Sequence, residues 1–303
     1  MKTNPCHSRI IALGILAVIV LLASTSVFAQ QPPSTVFRTS LLELSSGNYS
    51  YSTKADLTHS GAKIGGVAVH HAEVSLSGRH ELTAGMQLAY GLGYDTNLLV
   101  ADAAVPLPDQ LSAFSVNLGL IRSLNSEWTA ALFIRPGFYS DFDHLGSRSL
   151  NVPVLVTANY TPRRGLTWTF ALRLDLFAKN PVLPVVGVRW QFAPDWEFAL
   201  GFPRTGFTWQ ANTDLALRAD ISFQGGSYRV MHAPAPIPAL GDTLLDYREI
   251  RAGAGLDFNM ADATTLSLDA GFVTDRRFDY HELNYRLNGD PAGYLKLSLN
   301  IHF

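Results

Sequence analysis

Apolar side chains recur at every second position along most of this chain, the period of a strand with one face in a hydrophobic environment. Leu82-Ala84-Met86-Leu88-Tyr90-Leu92, Phe114-Val116-Leu118-Leu120, Trp128-Ala130-Leu132-Ile134 and Leu150-Val152-Val154-Val156-Ala158-Tyr160 each form one such face. So do Leu166-Trp168-Phe170-Leu172-Leu174-Leu176, Pro184-Val186-Val188-Trp190-Phe192, Leu215-Leu217-Ala219-Ile221-Phe223, Ile250-Ala252-Ala254-Leu256-Phe258 and Leu266-Leu268-Ala270-Phe272. Their alternate neighbours are mostly polar or glycine. The pattern is cleanest over the last eleven residues. Leu295, Leu297, Leu299, Ile301 and Phe303 share one face, and Lys296, Ser298, Asn300 and His302 share the other. A strand that ends on its apolar aromatic suits the closing strand of a membrane barrel, with Leu299, Ile301 and Phe303 as its assembly signal.

So many consecutive strands without a helix need a sandwich or a closed barrel, and the connections choose between them. Turn formers at Gly78-Arg79-His80, Asn125-Ser126-Glu127, 161–165, Ala193-Pro194-Asp195, Ala211-Asn212-Thr213 and 259–263 mark short turns. Between them, 53–66, 95–111, 140–149, 228–247 and 274–292 read as longer loops. Short turns at one rim and long loops at the other predict an all-β, up-and-down antiparallel transmembrane β-barrel. Counting from a first strand at 38–51 gives fourteen strands, with twelve as the alternative. The count of fourteen requires 196–211 to hold two strands joined at Pro203-Arg204-Thr205-Gly206. Two aromatic girdles are expected: Trp128, Tyr160, Trp190, Phe192, Trp196, Phe258 and Phe303 at the short-turn rim, and Tyr90, Tyr94, Phe138, Tyr139, Phe177, Phe223, Tyr228 and Phe272 at the other.

The amino-terminus sets the expected compartment. Lys2, His7 and Arg9 precede the apolar run from Ile10 to Leu22, followed by Val27-Phe28-Ala29, so residues 1–29 read as a cleavable signal peptide and residues 30–303 as one barrel domain. The apolar run is shorter than the ~20 residues that a spanning helix needs. Cleavage would remove Cys6, the single cysteine, together with Lys2 and Arg9, taking the formal net charge from −2 to −4. A chain of that charge lacks the basic footprint of a nucleic-acid binder. The expected location is the bacterial outer membrane. The expected partners are outer-membrane lipid and lipopolysaccharide, the barrel assembly machinery and small solutes.

Pro184-Val185-Val186-Gly187-Val188-Arg189-Trp190, Gly226-Ser227-Tyr228-Arg229 and Ala270-Gly271-Phe272 through Arg277-Phe278 resemble an uncharacterised family of outer-membrane β-barrels, a domain of unknown function. The resemblance extends over most of residues 30–303. It implies architecture and location and carries no substrate or catalytic residue.

Alternation assigns Glu73, Arg135, Arg173, Asp175, Arg189, Arg218, Asp220, Arg251, Asp257, Asp269 and Lys296 to the lumen, since a cation facing lipid at mid-depth costs ~2–4 kcal/mol. Arg173-x-Asp175 and Arg218-x-Asp220 place opposite charges two apart on one face, either as a polar pore with a transverse field or as an ion-pair lattice bracing the wall. In His70-His71-Ala72-Glu73 only His71 and Glu73 share a face, which is too few ligands for zinc. His281-Glu282 reads as solvated surface, and Asn48-Tyr49-Ser50 as a glycosylation pattern without meaning in a bacterium. No catalytic motif, cofactor site or metal site is expected. The function expected is a passive channel for small solutes. The alternatives are a surface-interaction or structural barrel with a closed lumen and, further off, a lipid-modifying enzyme. The apolar, proline-stiffened 231–240 loop serves the second as a binding surface, or folds inward as a lid.

Overall fold

The computed structural model describes residues 44–261 and 263–303, so the signal peptide and the start of the expected first strand lie outside the described residues. Strands dominate: β1 (Leu44–His59), β2 (Ala62–Thr83), β3 (Met86–Ala101), β4 (Gln110–Ser123), β5 (Trp128–Ile134), β6 (Gly137–Ser140), β7 (Leu150–Asn151), β8 (Val154–Arg163) and β9 (Leu166–Leu174). They continue as β10 (Val182–Ala193), β11 (Trp196–Leu200), β12 (Arg204–Gln210), β13 (Leu215–Val230), β14 (Thr243–Ala261), β15 (Thr264–Tyr280), β16 (Tyr285–Gly289) and β17 (Ala292–His302). The pairs β5/β6, β7/β8 and β16/β17 are single staves interrupted once each, the first two at Pro136 and Pro153, where proline has no N–H to give a ladder. The result is a closed, antiparallel barrel of fourteen strands. Closure joins the two ends of the chain, β1 to β17, in unbroken register from Leu44↔His302 to Ser52↔Tyr294. Among the described residues that leaves no open sheet edge, the condition for β-structure in hydrocarbon.

Several connections differ from the sequence reading. Gly78-Arg79-His80 continues β2, and the turn falls at Ala84-Gly85, where Gly85 takes a φ of +78° that a side chain disfavours. Residues 53–66 are not a loop but a hairpin extension of β1 and β2, turning at Ser60-Gly61. Residues 196–211 do hold two strands, joined at Gly201–Pro203 rather than 203–206. The staves are therefore unequal. β1–β3 and β13–β15 run for 16 to 22 residues, while β11 and β12 have 5 and 7. At the long-loop end the tall staves curl together, and Ser140 of β6 meets Arg229 of β13 in a parallel contact. Asp141 holds this junction by accepting the backbone N–H groups of Met231 and His232, both at 2.8 Å.

The outer face exposes Leu92, Phe114, Val116, Leu132, Trp168, Phe170, Val186, Ile221, Leu268, Leu295 and Leu297, an apolar belt. Among the described residues no helix is long and apolar enough to cross a membrane, so any crossing is by strands. Aromatics at the short-turn rim pair up, Trp128 on Tyr160 at 4.7 Å and Trp196 on Trp209 at 6.0 Å. Of the aromatics expected in the other girdle, Phe177 and Tyr228 are buried inside, and Tyr139 packs against the interior.

The inner face needs room for its charges. A Cβ on Gly255 would lie 2.1 Å from Asp269 Oδ1 and 2.9 Å from Arg218 Nη2. Glycine there lets the ion pair cross the wall. Gly255→Val is expected to cost about 1–3 kcal/mol by overpacking, lowering the urea midpoint of the refolded barrel, whereas Gly146→Val, with nothing within 4 Å, is expected to leave it unchanged.

Candidate functional site

The interior is built in three storeys. At the short-turn end lies a cavity of about 410 Å³ lined by Ser46, Asn48, Arg204, Arg218, Asp257, Thr265, Ser267, Asp269, Lys296, Ser298, Asn300 and His302. Arg218 is its hub. Its Nη2 donates to Asp269 at 2.8 Å, its Nε lies 2.9 Å from Asp257, and Asp220 stands 3.8 Å away. Arg204 reaches the same Asp220 at 3.8 Å. One guanidinium among three carboxylates holds a fixed orientation, and the surrounding hydroxyls and amides keep the cavity polar.

The second storey is fully enclosed. Glu249, Arg276 and Arg251 have side-chain exposures of 0%, 0% and 3%. Glu249 accepts Arg276 Nε at 2.7 Å and Arg251 Nη2 at 2.7 Å. Most of the remaining donors are placed too: Arg276 Nη1 donates to the Val67 carbonyl at 2.9 Å, and Arg251 donates to Ser50 and Ser52 at 3.1 and 3.2 Å, while Arg276 Nη2 is left without an acceptor. Arg251 also lies 5.1 Å over the Tyr294 ring. Opposite them Tyr228 donates to Asp95 at 3.0 Å, and Asn97 bridges Tyr228 and His71. Charges at this depth are tolerated because nearly every donor has an acceptor.

The third storey, at the long-loop end, is apolar. Leu57, Val67, Val69, Leu99, Leu111, Val230, Leu245, Tyr247, Phe278, Tyr280 and Leu287 form one buried cluster from the tall staves. Loop residues complete it: Val105 and Leu107 from 102–109, and Leu240 with partly buried Ile237 from 231–242. The proline-rich loop thus folds inward. It is held there by Thr243, which donates to the Leu240 carbonyl at 2.6 Å. The 175–181 loop adds a strap, with Lys179 bonded through its N–H to Asp246 at 2.9 Å and through Nζ to Asp279 at 3.0 Å.

The eleven charges read from alternation fall into separate groups. Arg218, Asp220, Asp257, Asp269 and Lys296 share the lower cavity and its wall. Glu73 stands near them and accepts the Asn48 amide at 2.8 Å. Arg251 belongs to the middle storey. Arg173 and Asp175 pair with each other at 2.5 Å, Arg189 pairs with Glu197 at 3.3 Å, and Arg135 donates to the Asn117 amide oxygen at 2.8 Å. His71 and Glu73 flank Asp95: His71 Nδ1 meets the Asn97 amide oxygen at 3.1 Å and lies 3.7 Å from Asp95, Glu73 stands across the strand from it, and His70 on the outer face meets the Tyr49 hydroxyl at 2.7 Å. Glu282, read as solvated, accepts the Leu244 N–H at 2.9 Å. Of the closing strand, Leu299 and Phe303 are partly or largely exposed, and Ile301 is buried.

Sequence reasoning missed Glu249, Arg276, Asp95, Asn97 and the apolar storey. Arg276 escaped because a register shift between Ile250 and Arg251 leaves Thr274 out of the ladder, so the inward series 269, 271, 273 resumes at 276. The apolar storey did leave a signal. In Val67-Ala68-Val69 and Leu244-Leu245 the alternation lapses into continuous apolar runs that are buried on both faces.

A closed antiparallel barrel with an apolar belt outside and paired charges within defines a transmembrane β-barrel. Within that class, a family profile described as a domain of unknown function (DUF6268) matches residues 90–299, and the chain belongs to that family. No curated protein matches the chain. Among solved structures, the chain is similar to the toluene transporter TodX of P. putida, with a TM-score of 0.52 and 11% identity over 88% of this chain and 91% of that one. It is also similar to the deltaS2 mutant of the TodX monoaromatic hydrocarbon channel (TM-score 0.52, 12% identity, 88% and 91% covered). A deltaS2S3 mutant of the same channel gives 0.50 at 11% identity over 86% and 91%. Identities this low carry the fold and nothing finer.

Proposed function

We propose that the protein is an outer-membrane channel for the passive passage of small solutes, and that its resting state is closed at the long-loop end. The observation that carries this reading is the contrast between the two ends of the lumen. One end is a roomy, polar, hydrogen-bonding cavity, and the other is stoppered by side chains borne on loops rather than by the wall alone. A purely structural barrel has no need of a cavity at one end, and a stopper made of loops is one that can move. The hydrocarbon and toluene channels of the same fold support passage as the function.

Planar-bilayer conductance of the refolded protein tests it. Removing Ala233–Leu240 takes Ile237 and Leu240 out of the stopper and is expected to raise conductance at least severalfold while the folded band still migrates apart from the heated one. If the ion-pair lattice closes the lumen instead, the deletion changes nothing and the double substitution Arg218→Ala, Asp220→Ala opens it. Absence of ion flow in both variants defeats the channel reading and leaves a closed structural barrel.

A further inference from the structure

The lumen wall is not uniform, and its second surface has a different chemistry from the charged cavity. Register carries the inner face from Arg218 to Thr208 on β12, to Glu197 on β11 and to Gln191 on β10. Every second residue up β10 is then Arg189, Gly187, Val185 and Leu183, all facing inward. Across the neighbouring staves Leu183 stands beside Arg173, Arg173 beside Leu155, and Leu155 beside Phe133; one row down, Val185 stands beside Ala171. The interior of β5, β8, β9 and β10 therefore carries a short apolar stripe of Phe133 and Leu155, with Ala171 and Val185 one row down, and Arg173, paired with Asp175, separates this stripe from Leu183. This stripe is not packed against anything that seals it. Leu155 is 37% exposed and Leu183 is 41% exposed, although both point into the barrel.

Arg135 sits on the same face, two residues above Phe133, and is exposed to the lumen. Its side chain is held by the Asn117 amide oxygen, a neutral acceptor. Among the described residues no carboxylate lies within 4.0 Å of it, whereas Arg173, Arg189, Arg204, Arg218 and Arg251 each have one. Asp95 on β3 feels the Arg135 charge but lies beyond ion-pair distance and accepts the Tyr228 hydroxyl. A guanidinium held by a neutral acceptor on β4, beside the Phe133 ring that lies over Gly119 of the same strand, is complementary to one kind of guest.

We propose that Arg135 and this stripe form a binding site for small organic anions with an apolar body, such as aromatic carboxylates. The carboxylate meets the Arg135 guanidinium, and the ring lies along Phe133 and Leu155. The site deepens the passage reading, because it lines the same lumen, and it states the substrate class that the polar cavity alone leaves open.

The test is equilibrium binding by titration calorimetry to the full refolded barrel, using 2-naphthoate and its neutral analogue 2-naphthalenemethanol. Wild-type protein is expected to bind naphthoate more tightly than the alcohol. Arg135→Gln is expected to weaken naphthoate at least tenfold and the alcohol less than twofold; Arg135→Lys is expected to keep the preference for the anion. Leu155→Ser is expected to weaken both. Each variant is first shown to keep its heat-modifiable band. No binding of naphthoate to wild type, or equal affinity in Arg135→Gln, overturns the site. Binding without any conductance keeps the site and removes the channel reading, while conductance without binding does the reverse.

Discussion

Glu249→Ala is expected to be the most damaging single substitution in the barrel. It strips the shared acceptor from two guanidinium groups that have no access to water, leaving Arg276 and Arg251 charged and unpaired at the centre of the wall. Removing one partner of a buried pair costs about 3–5 kcal/mol, because the remaining charge keeps its desolvation penalty. Here one carboxylate serves two cations, so the upper end of that range is expected. The measurement is the urea midpoint of the refolded protein in detergent. Arg148→Ala provides the comparison: its partner Asp242 is another loop residue, both side chains are exposed, and the expected change is at most about 1 kcal/mol. Equal midpoints for the two variants would mean that the Glu249 cluster does not brace the barrel.

Leu297→Arg is expected to block assembly. Leu297 lies on the outer face of β17, 40% exposed, between Tyr49 of β1 and Leu268 of β15, on the seam where the barrel closes. A cation there meets hydrocarbon at a cost of ~2–4 kcal/mol and does so on the strand that closes the barrel. Ser298→Ala, one residue on and facing the lumen cavity, is expected to change stability by less than about 0.5 kcal/mol. Outer-membrane fractionation and the band shift between heated and unheated samples read both variants. Full-level assembly of Leu297→Arg would show that this face does not meet lipid.

Both expectations rest on which way a residue points, and the chain tells this unevenly. Strict alternation over 295–303 and through the middle of most strands was enough to read an all-β barrel, its closing strand and the inward side of Arg218, Asp257, Asp269 and Lys296. The reason is that a strand between water and an apolar medium must repeat every two residues, and nothing beyond the local backbone sets that period. Turn positions were read less well, as Gly78-Arg79-His80 illustrates, because glycine with polar neighbours near the end of a strand pairs in register as readily as it turns.

What the sequence could not decide was everything that depends on parity across a bulge or on a loop's destination. Arg276 looks outward until the unpaired Thr274 shifts the count, and only then does it meet Glu249 on the neighbouring strand. Which carboxylate Arg218 grasps was equally hidden: the residue two along, Asp220, is 3.8 Å off, while Asp269, 51 positions away, is bonded at 2.8 Å. Ile237 and Leu240 could have faced a partner or the lumen, and the tall staves, by curling together, gave them an apolar interior to fill. The two-residue period is a property of the local chain, but ion pairs and plugs are made between strands, where register, bulges and stave height choose the neighbours.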